Sequence, residues 1–321
     1  MKACINNKYG PPSVVSIGTI EQPIPTENQV LVKVHASTIN RTDCGFRSAE
    51  YVISRLFSGL INPKNKVLGS EFSGEIVAKG KNVIDFELGD KVFGFDDKNF
   101  GSHAEFKVIE ATGCIAKIPN NVDLEMAAAI YEGSHYALCD IRAAKVEQGQ
   151  KVLVNGATGG IGSAAVQLLN YFGAEVTAVC DTKNINLVES LGAERVIDYT
   201  KEDFSQLSME FDFVFDAVGK SSFTKCKKIL KPSGIYISTE LGTYGSNVYL
   251  ALLTPWFSRK KVLFPLPYSN KEDLLFFKKL VEEGHFKPVI DRTFEMKDVV
   301  AAYEYVETGM KTGNVVLKIV S

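Results

Sequence analysis

Val152-Leu153-Val154-Asn155-Gly156-Ala157-Thr158-Gly159-Gly160-Ile161-Gly162 is the stretch whose reading decides the fold. Val152 to Asn155 read as a buried strand, the glycines as a tight turn, and Ser163-Ala164-Ala165-Val166 as a helix already under way. The spacing Ala157-x-Gly159-x-x-Gly162 is the dinucleotide fingerprint with Ala in its first slot. Gly159 lets the backbone approach a pyrophosphate, and Gly162 lets the helix lie close to the strand. The helix N-terminus turns N–H groups and a positive dipole end toward the phosphates. Ala157, Thr158, Gly159, Gly160, Ile161 and Gly162 are therefore the first candidate contacts for NAD(P)H.

Outward from this turn, strands and helices alternate. A helix is expected over 161–172, a strand over 176–180 and a helix over 186–191. Further strands are expected over 195–197, 211–216 and 234–238. Alternation with continuous apolar strands means a parallel sheet covered on both faces. Lys260 to Phe264 reads as its last strand, whose edge is either protected by its Lys and Pro residues in a monomer or paired with a second copy. Asp181 stands nineteen positions after Gly162. A carboxylate there accepts from the ribose hydroxyls and repels a 2′-phosphate, while Lys183 pulls the other way. The preference leans to NADH with NADPH close behind, and a plain helix-capping role for Asp181 stays open. Thr239 and Gly242 follow a later strand, on the carboxyl side where such sheets bind ligands.

The flanks differ in texture. Residues up to about 120 form short alternating runs such as Val30-Leu31-Val32-Lys33-Val34, the pattern of a β-rich domain. The tail carries helices near 271–283 and 297–307 and a strand over 315–320. With 321 residues, a net charge of −2 and 45% hydrophobic residues, this is a water-soluble two-domain protein with no nucleic-acid face. No apolar run reaches the roughly 18 residues of a membrane span, and the N-terminus lacks a signal-peptide core. The six scattered cysteines read as reduced thiols, which places the protein in the cytoplasm.

Together these segments resemble the medium-chain dehydrogenase/reductase superfamily on its zinc-less, quinone-oxidoreductase-like branch. The resemblance rests on Asn40-Arg41-Thr42-Asp43, Gly69-Ser70-Glu71-Phe72-Ser73-Gly74, Gly89-Asp90-Lys91-Val92 and the Ala-Thr-Gly-Gly-Ile-Gly turn. It extends to Leu191 to Tyr199, Asp212 to Gly219 and Gly313 to Leu317. It implies a GroES-like catalytic domain from 1–124 and 267–321, with a Rossmann domain inserted over 125–266. It also implies that Val218 and Gly219 pass the cofactor's ribose and nicotinamide, that Arg41 touches the pyrophosphate, and that the edge of the last strand pairs with a second copy in a homodimer.

The departures carry the chemistry. In the zinc alcohol dehydrogenases of this superfamily a Cys stands where this chain has Asn40, a His where it has Ser70, and a Cys or acid near Glu132. Two of three positions are thus poor ligands, and catalytic zinc needs about three. No Cys lies between Gly94 and Phe106, where the structural zinc lobe belongs. Without a metal to polarise an alcohol, the reachable substrate is already electrophilic: a quinone or an α,β-unsaturated carbonyl. Thr42, Asn40 and Tyr136 are expected to hydrogen-bond its oxygen as enolate charge develops. Relatives usually carry a Thr where this chain has Tyr136. A packing role for Tyr136 and turn roles for Thr42 and Asn40 are the plainer alternatives. Tyr51, Phe57, Trp256 and Phe264 are expected pocket walls. The other functional class left open is a nucleotide-binding sensor or structural protein with little turnover.

Overall fold

β-branched residues on alternate positions of one long strand build the first half of the molecule. In the computed structural model, which describes residues 1–49 and 55–320, β1 (Lys2–Asn6) and β2 (Val15–Thr19) form an antiparallel pair. β3 (Gln29–Ile39) then runs for eleven residues. Its Val30, Val32 and Val34 enter a core with Phe72, Ile76, Val92 and Ile115. α1 (Arg41–Ser48) follows directly, and α2 (Arg55–Ser58) lies beyond it. β4 (Glu71–Lys79), β5 (Lys91–Phe95), β6 (Phe106–Glu110) and β7 (Ile115–Lys117) continue the same antiparallel sheet. α3 (Leu124–Ala128) packs on β3 and β4, and the Ser73 hydroxyl donates to the Leu124 carbonyl at 2.5 Å.

α4 (Glu132–Ala144) leads into a parallel sheet. Its strands are β8 (Lys151–Asn155), β9 (Glu175–Cys180), β10 (Arg195–Asp198), β11 (Phe211–Asp216), β12 (Leu230–Ser238) and β13 (Lys261–Leu263). The spatial order is β10-β9-β8-β11-β12-β13. That is the doubly wound Rossmann order, with its switch point between β8 and β11. The covering helices are α5 (Gly160–Tyr171), α6 (Ile185–Ser190), α7 (Phe223–Cys226) and α8 (Ser246–Phe257). Leu153, Val179, Val214, Tyr236 and Val262 form the core. The chain then returns to the first sheet through α9 (Lys271–Glu282), β14 (Ile290–Glu295), α10 (Val299–Glu307) and β15 (Asn314–Lys318). β15 pairs antiparallel with β3.

The described chain therefore forms two units: Met1–Glu132 with Ser269–Ser321, which is GroES-like, and Gly133–Tyr268, which is Rossmann. Against the bounds that the resemblance implies, the two seams fall eight and two residues later, and α3 packs on the first sheet. The last parallel strand is also shorter than expected, and its edge is not bare. Val262 N–H donates to Thr254 Oγ1 of α8 at 2.9 Å. α8 itself escapes a periodicity reading, since it is apolar on nearly every face. Leu250 and Ala251 pack inward, while Val248, Tyr249, Leu252, Leu253, Trp256 and Phe257 are exposed at helical spacing. Trp256 is thus no buried wall. Phe264 is half-buried, and Tyr51 lies outside the described residues. No helix among the described residues is long and apolar enough to cross a membrane.

Candidate active site

In the Rossmann unit, the candidate cofactor residues gather at one edge of the sheet. Parallel pairing in register places Asn155 beside Val179 and Asp216, and Asp216 beside Ser238. The loops that follow these strands hold Gly156 to Gly160, Asp181, Val218 with Gly219, and Thr239 to Gly242. The edge is braced from below. Buried Asp216 accepts from Asn155 Nδ2 at 2.8 Å, Ser221 N–H at 2.8 Å and the Tyr236 hydroxyl at 3.1 Å.

Two glycines of the fingerprint do different work. A Cβ on Gly162 would lie 2.0 Å from the Gly156 carbonyl oxygen and 3.0 Å from Ala157 Cα, so only glycine lets α5 start here. A Cβ on Gly159 would meet nothing nearer than 3.8 Å. The fold leaves that space open, as a pyrophosphate requires. Gly159 is the N-cap of α5 and brings no side chain to the first-turn N–H groups. Thr158, Gly160 and Ile161 are half-buried around it, and Ala157 is buried. Gly156 has φ +78, and a side chain there would strike Val218. Gly133 of α4 abuts Gly160, where an added Cβ would come within 2.8 Å of backbone atoms. The first turn of α4 is thereby fixed beside the cradle, with half-buried Tyr136 one turn on, its ring against that of His135.

At the far end, Asp181 follows β9. It accepts from the Asn184 side-chain amide at 2.6 Å and lies 3.5 Å from Lys183 Nζ. Asp181 occupies the N-cap position of a short 3₁₀ turn but makes no side-chain cap bond to its backbone. The plain capping alternative is thus not what this carboxylate does. The two charges that sequence reading set against each other are paired.

In the GroES-like unit a second cluster forms where α1, the loop before β4 and the start of α4 meet. Asn40 caps α1 in a capping box: its Oδ1 accepts from Asp43 N–H at 2.9 Å, and its own N–H donates to Asp43 Oδ2 at 3.2 Å. That bond fixes the amide's orientation and turns Nδ2 toward Glu132 Oε2, to which it donates. The Ser70 hydroxyl donates to the same oxygen at 2.7 Å, and Thr42 hydrogen-bonds Glu132 too. Glu71 Oε1 accepts from the backbone N–H groups of Tyr131 at 3.0 Å and Glu132 at 2.7 Å. Glu71 Oε2 accepts from the Thr38 hydroxyl at 2.6 Å. Asp43 Oδ1 accepts from Gly69 N–H at 2.9 Å. Burial raises all three carboxyls above the ordinary range. The neighbouring Glu132 charge adds to the effect on Glu71, and the Asp43 charge to the effect on Glu132. Burial lowers Lys311, which faces Glu132.

This cluster does not suit zinc. The three positions that hold ligands in zinc relatives do meet, but they present an amide N–H, a hydroxyl and one carboxylate. The capping box prevents Asn40 from offering its carbonyl oxygen, and the donors already occupy Glu132. Among the described residues no group of three or more His, Cys, Asp or Glu side chains has the geometry of a metal site.

The structure thus joins Asn40 and Thr42 through Glu132, while Tyr136 stands in the other unit beside the cradle. Arg41 is exposed at the first position of α1. Sequence reading named Glu132 only as the one of three ligand positions that keeps an acid, and passed over Asp43 and Lys311 as site residues. The one local sign was Asn40-x-x-Asp43, a capping-box spacing.

Family models match two stretches: an alcohol dehydrogenase GroES-like domain over residues 26–120, and a zinc-binding dehydrogenase model over 191–317. A 2-methylene-furan-3-one reductase of Solanum lycopersicum is 33% identical over 99% of this chain and 79% of its own length. An NADPH-dependent alkenal/one oxidoreductase, chloroplastic, of Arabidopsis thaliana is 31% identical over the same shares. The solved quinone oxidoreductase of Coxiella burnetii superposes with a TM-score of 0.88 at 30% identity, covering 100% of this chain and 99% of that one.

Proposed function

This chain belongs to the medium-chain dehydrogenase/reductase superfamily, on its quinone-oxidoreductase-like branch, and from that premise we propose that it reduces α,β-unsaturated carbonyls or quinones with NAD(P)H and without zinc. The observation that carries the reading is the pairing of an intact dinucleotide cradle with a ligand triad rebuilt as a hydrogen-bonded cluster. The reduced nicotinamide supplies the hydride. An enone or quinone accepts it without a Lewis acid, since the charge passes to an oxygen that hydrogen bonds stabilise. Small conjugated alkenals and quinones are the substrate class, and the cytoplasm is the proposed location.

The test is oxidation of NADH and NADPH by metal-analysed protein over a panel of quinones and alkenals. We expect turnover at far less than one zinc per chain, unaffected by chelators. One zinc per chain, lost together with activity on chelation, ends the zinc-independent reading. Tight cofactor binding with no turnover on the whole panel ends the reductase reading in favour of a sensor. The same assay on Asp181→Ser reads the ribose end. Removing the carboxylate frees Lys183 for a 2′-phosphate. A unit charge at about 4 Å in water is worth about 1 kcal/mol, so kcat/KM for NADPH relative to NADH rises roughly fivefold. An unchanged ratio means that Asp181 does not read the cofactor.

Of the three candidate donors, we propose the Thr42 and Tyr136 hydroxyls for the substrate, while Asn40, whose Nδ2 donates to Glu132, orients that cluster. Tyr136→Phe is expected to lower kcat on an enone by roughly tenfold or more and to leave cofactor affinity unchanged. Quinones, helped by aromatisation, lose less. Wild-type hydride-transfer rates in stopped flow for Tyr136→Phe remove that hydroxyl from the mechanism.

We further propose that a second copy covers the exposed α8 stripe beside β13, since contiguous apolar surface of this kind marks association. Light scattering that returns the mass of a single chain at micromolar concentration rules this out.

A further inference from the structure

Charge is distributed unevenly along this chain. Between Ala217 and Tyr268 stand eight Lys and Arg residues and one acid, Glu240, whereas the whole chain holds 36 basic and 38 acidic residues. The fold gathers five of the eight at one corner of the Rossmann unit. Lys227 and Lys228 lie in the 3₁₀ turn that enters β12, and Lys261 opens β13, preceded by Arg259 and Lys260. β12 and β13 run parallel, so both groups sit on the amino side of the sheet, opposite the loops that hold the candidate cofactor residues. The Lys260 ammonium donates to the Lys227 carbonyl at 2.8 Å and ties the two groups together. Lys227, Lys228, Arg259 and Lys261 are exposed. Among the described residues, none of the five makes an ion pair. Two of the other three cations are matched by acids: Lys231 pairs with Asp212, and Lys225 faces Asp203.

The same corner carries the end of α8. Trp256 and Phe257, 82% and 84% exposed, stand in its last turn, and Ser258, its C-cap, directly precedes Arg259. Exposed rings of this size cost free energy in water, and close-set like charges repel. A second copy carries the same charges and does not neutralise them. A nucleic acid supplies phosphates, but the rings continue an aliphatic face, Leu252 and Leu253, that suits an apolar phase better than stacked bases. One partner relieves both costs. An anionic lipid surface takes the cations among its headgroups and the rings at the headgroup–acyl boundary, where Trp is a preferred anchor. We propose that Lys227, Lys228, Arg259, Lys260 and Lys261, around Trp256 and Phe257, dock the protein on an anionic lipid surface. Docking is independent of the reductase reading above. A second copy on the earlier turns of the stripe leaves this corner free and, by two-fold symmetry, presents it twice. The cofactor loops of the Rossmann unit, on the opposite edge of the sheet, then face away from the bilayer.

The test is co-sedimentation of the full chain with vesicles of phosphatidylcholine, alone or mixed with phosphatidylglycerol. The wild type is expected to bind the mixed vesicles and not the pure ones, and to be released as salt is raised. The triple variant K227Q/K228Q/K261Q is expected to lose about a hundredfold in partitioning, roughly fivefold for each charge. W256S/F257S is expected to lose about tenfold or more and to keep the salt dependence. Both variants change exposed side chains only, so melting temperature and the Kd for NADPH stay at wild-type values. A wild type that ignores the mixed vesicles overturns the proposal, as does a triple variant that binds them like wild type. A wild type that prefers a single-stranded oligonucleotide to the mixed vesicles also overturns it. If W256S/F257S turns a dimer into a monomer in light scattering yet binds vesicles like wild type, the rings belong to a second copy and their insertion is overturned.

Discussion

Replacing Gly162 with alanine is expected to abolish measurable NAD(P)H binding and to destabilise the Rossmann unit, while Gly159→Ala weakens binding alone. The difference comes from what each new methyl meets. At 162 it lands 2.0 Å from the Gly156 oxygen and 2.8 Å from its carbonyl carbon. Those are backbone atoms of the turn between β8 and α5, and they cannot rotate away. Either α5 moves off the sheet or the turn opens, and overpacking of this kind costs about 1–3 kcal/mol or more. At 159 the methyl enters open space, so the fold keeps its melting temperature. The methyl then stands where the pyrophosphate approaches, and we expect affinity to fall about a hundredfold, equivalent to about 2.7 kcal/mol. Calorimetric titration with NADPH and NADH, alongside thermal melts, separates the two. Wild-type affinity in Gly159→Ala means that the pyrophosphate does not lie against that residue.

Stability is expected to fall as the pH rises from 6.5 to 8. Asp140, buried in α4, is pushed up to about 8 by burial, and Asp43, Glu71 and Glu132 are raised as well. A carboxyl whose folded pKa exceeds its unfolded value keeps protons that the unfolded chain has released. Its contribution is present in full below about pH 4 and lost as the pH climbs through the folded value. His103, buried and lowered to about 4 from 6.5, works oppositely, but only below 6.5. Lys107 and Lys311 are lowered and oppose the carboxyls toward the alkaline side. Between 6.5 and 8 the carboxyls dominate. Each retained proton is worth about 1.4 kcal/mol per pH unit, so one carboxyl gives roughly 2 kcal/mol over this window and a fall in Tm of about 4–8 °C. Asp140→Asn should flatten the dependence of the Rossmann unit. A Tm that holds or rises from pH 6.5 to 8 in the wild type contradicts the assignment of these groups as buried acids.

How far the sequence reached follows from the range of each interaction. The cradle was legible because its constraints are local: Gly156, Gly159 and Gly162 lie within seven residues, and the clash at 162 involves its own turn. The strands of the parallel sheet were legible because they are apolar on both faces. α8 was not, since a helix that is apolar all round has no period to detect. The Glu132 cluster was only half visible. Its members stand at 40, 42, 70 and 132, brought together by the sheet, and no spacing within a window announces that. Resemblance marked Asn40 and Ser70 as departures from a metal site. The hydrogen bonds that join these positions needed three dimensions.

Asn40 also makes a zinc site costly to build at this position. One side of its amide caps α1, and the other holds Glu132. A cysteine there would gain a soft ligand but forfeit the cap, at about 1 kcal/mol, before any ion could bind. Histidine at 70 would fill fully buried space now held by a small hydroxyl and remove a donor from Glu132. Each step back toward a metalloenzyme is a loss when taken alone, and only the complete set confers a gain. The helix cap thus acts as a ratchet on the chemistry of this position, since a ligand introduced there costs the helix its cap.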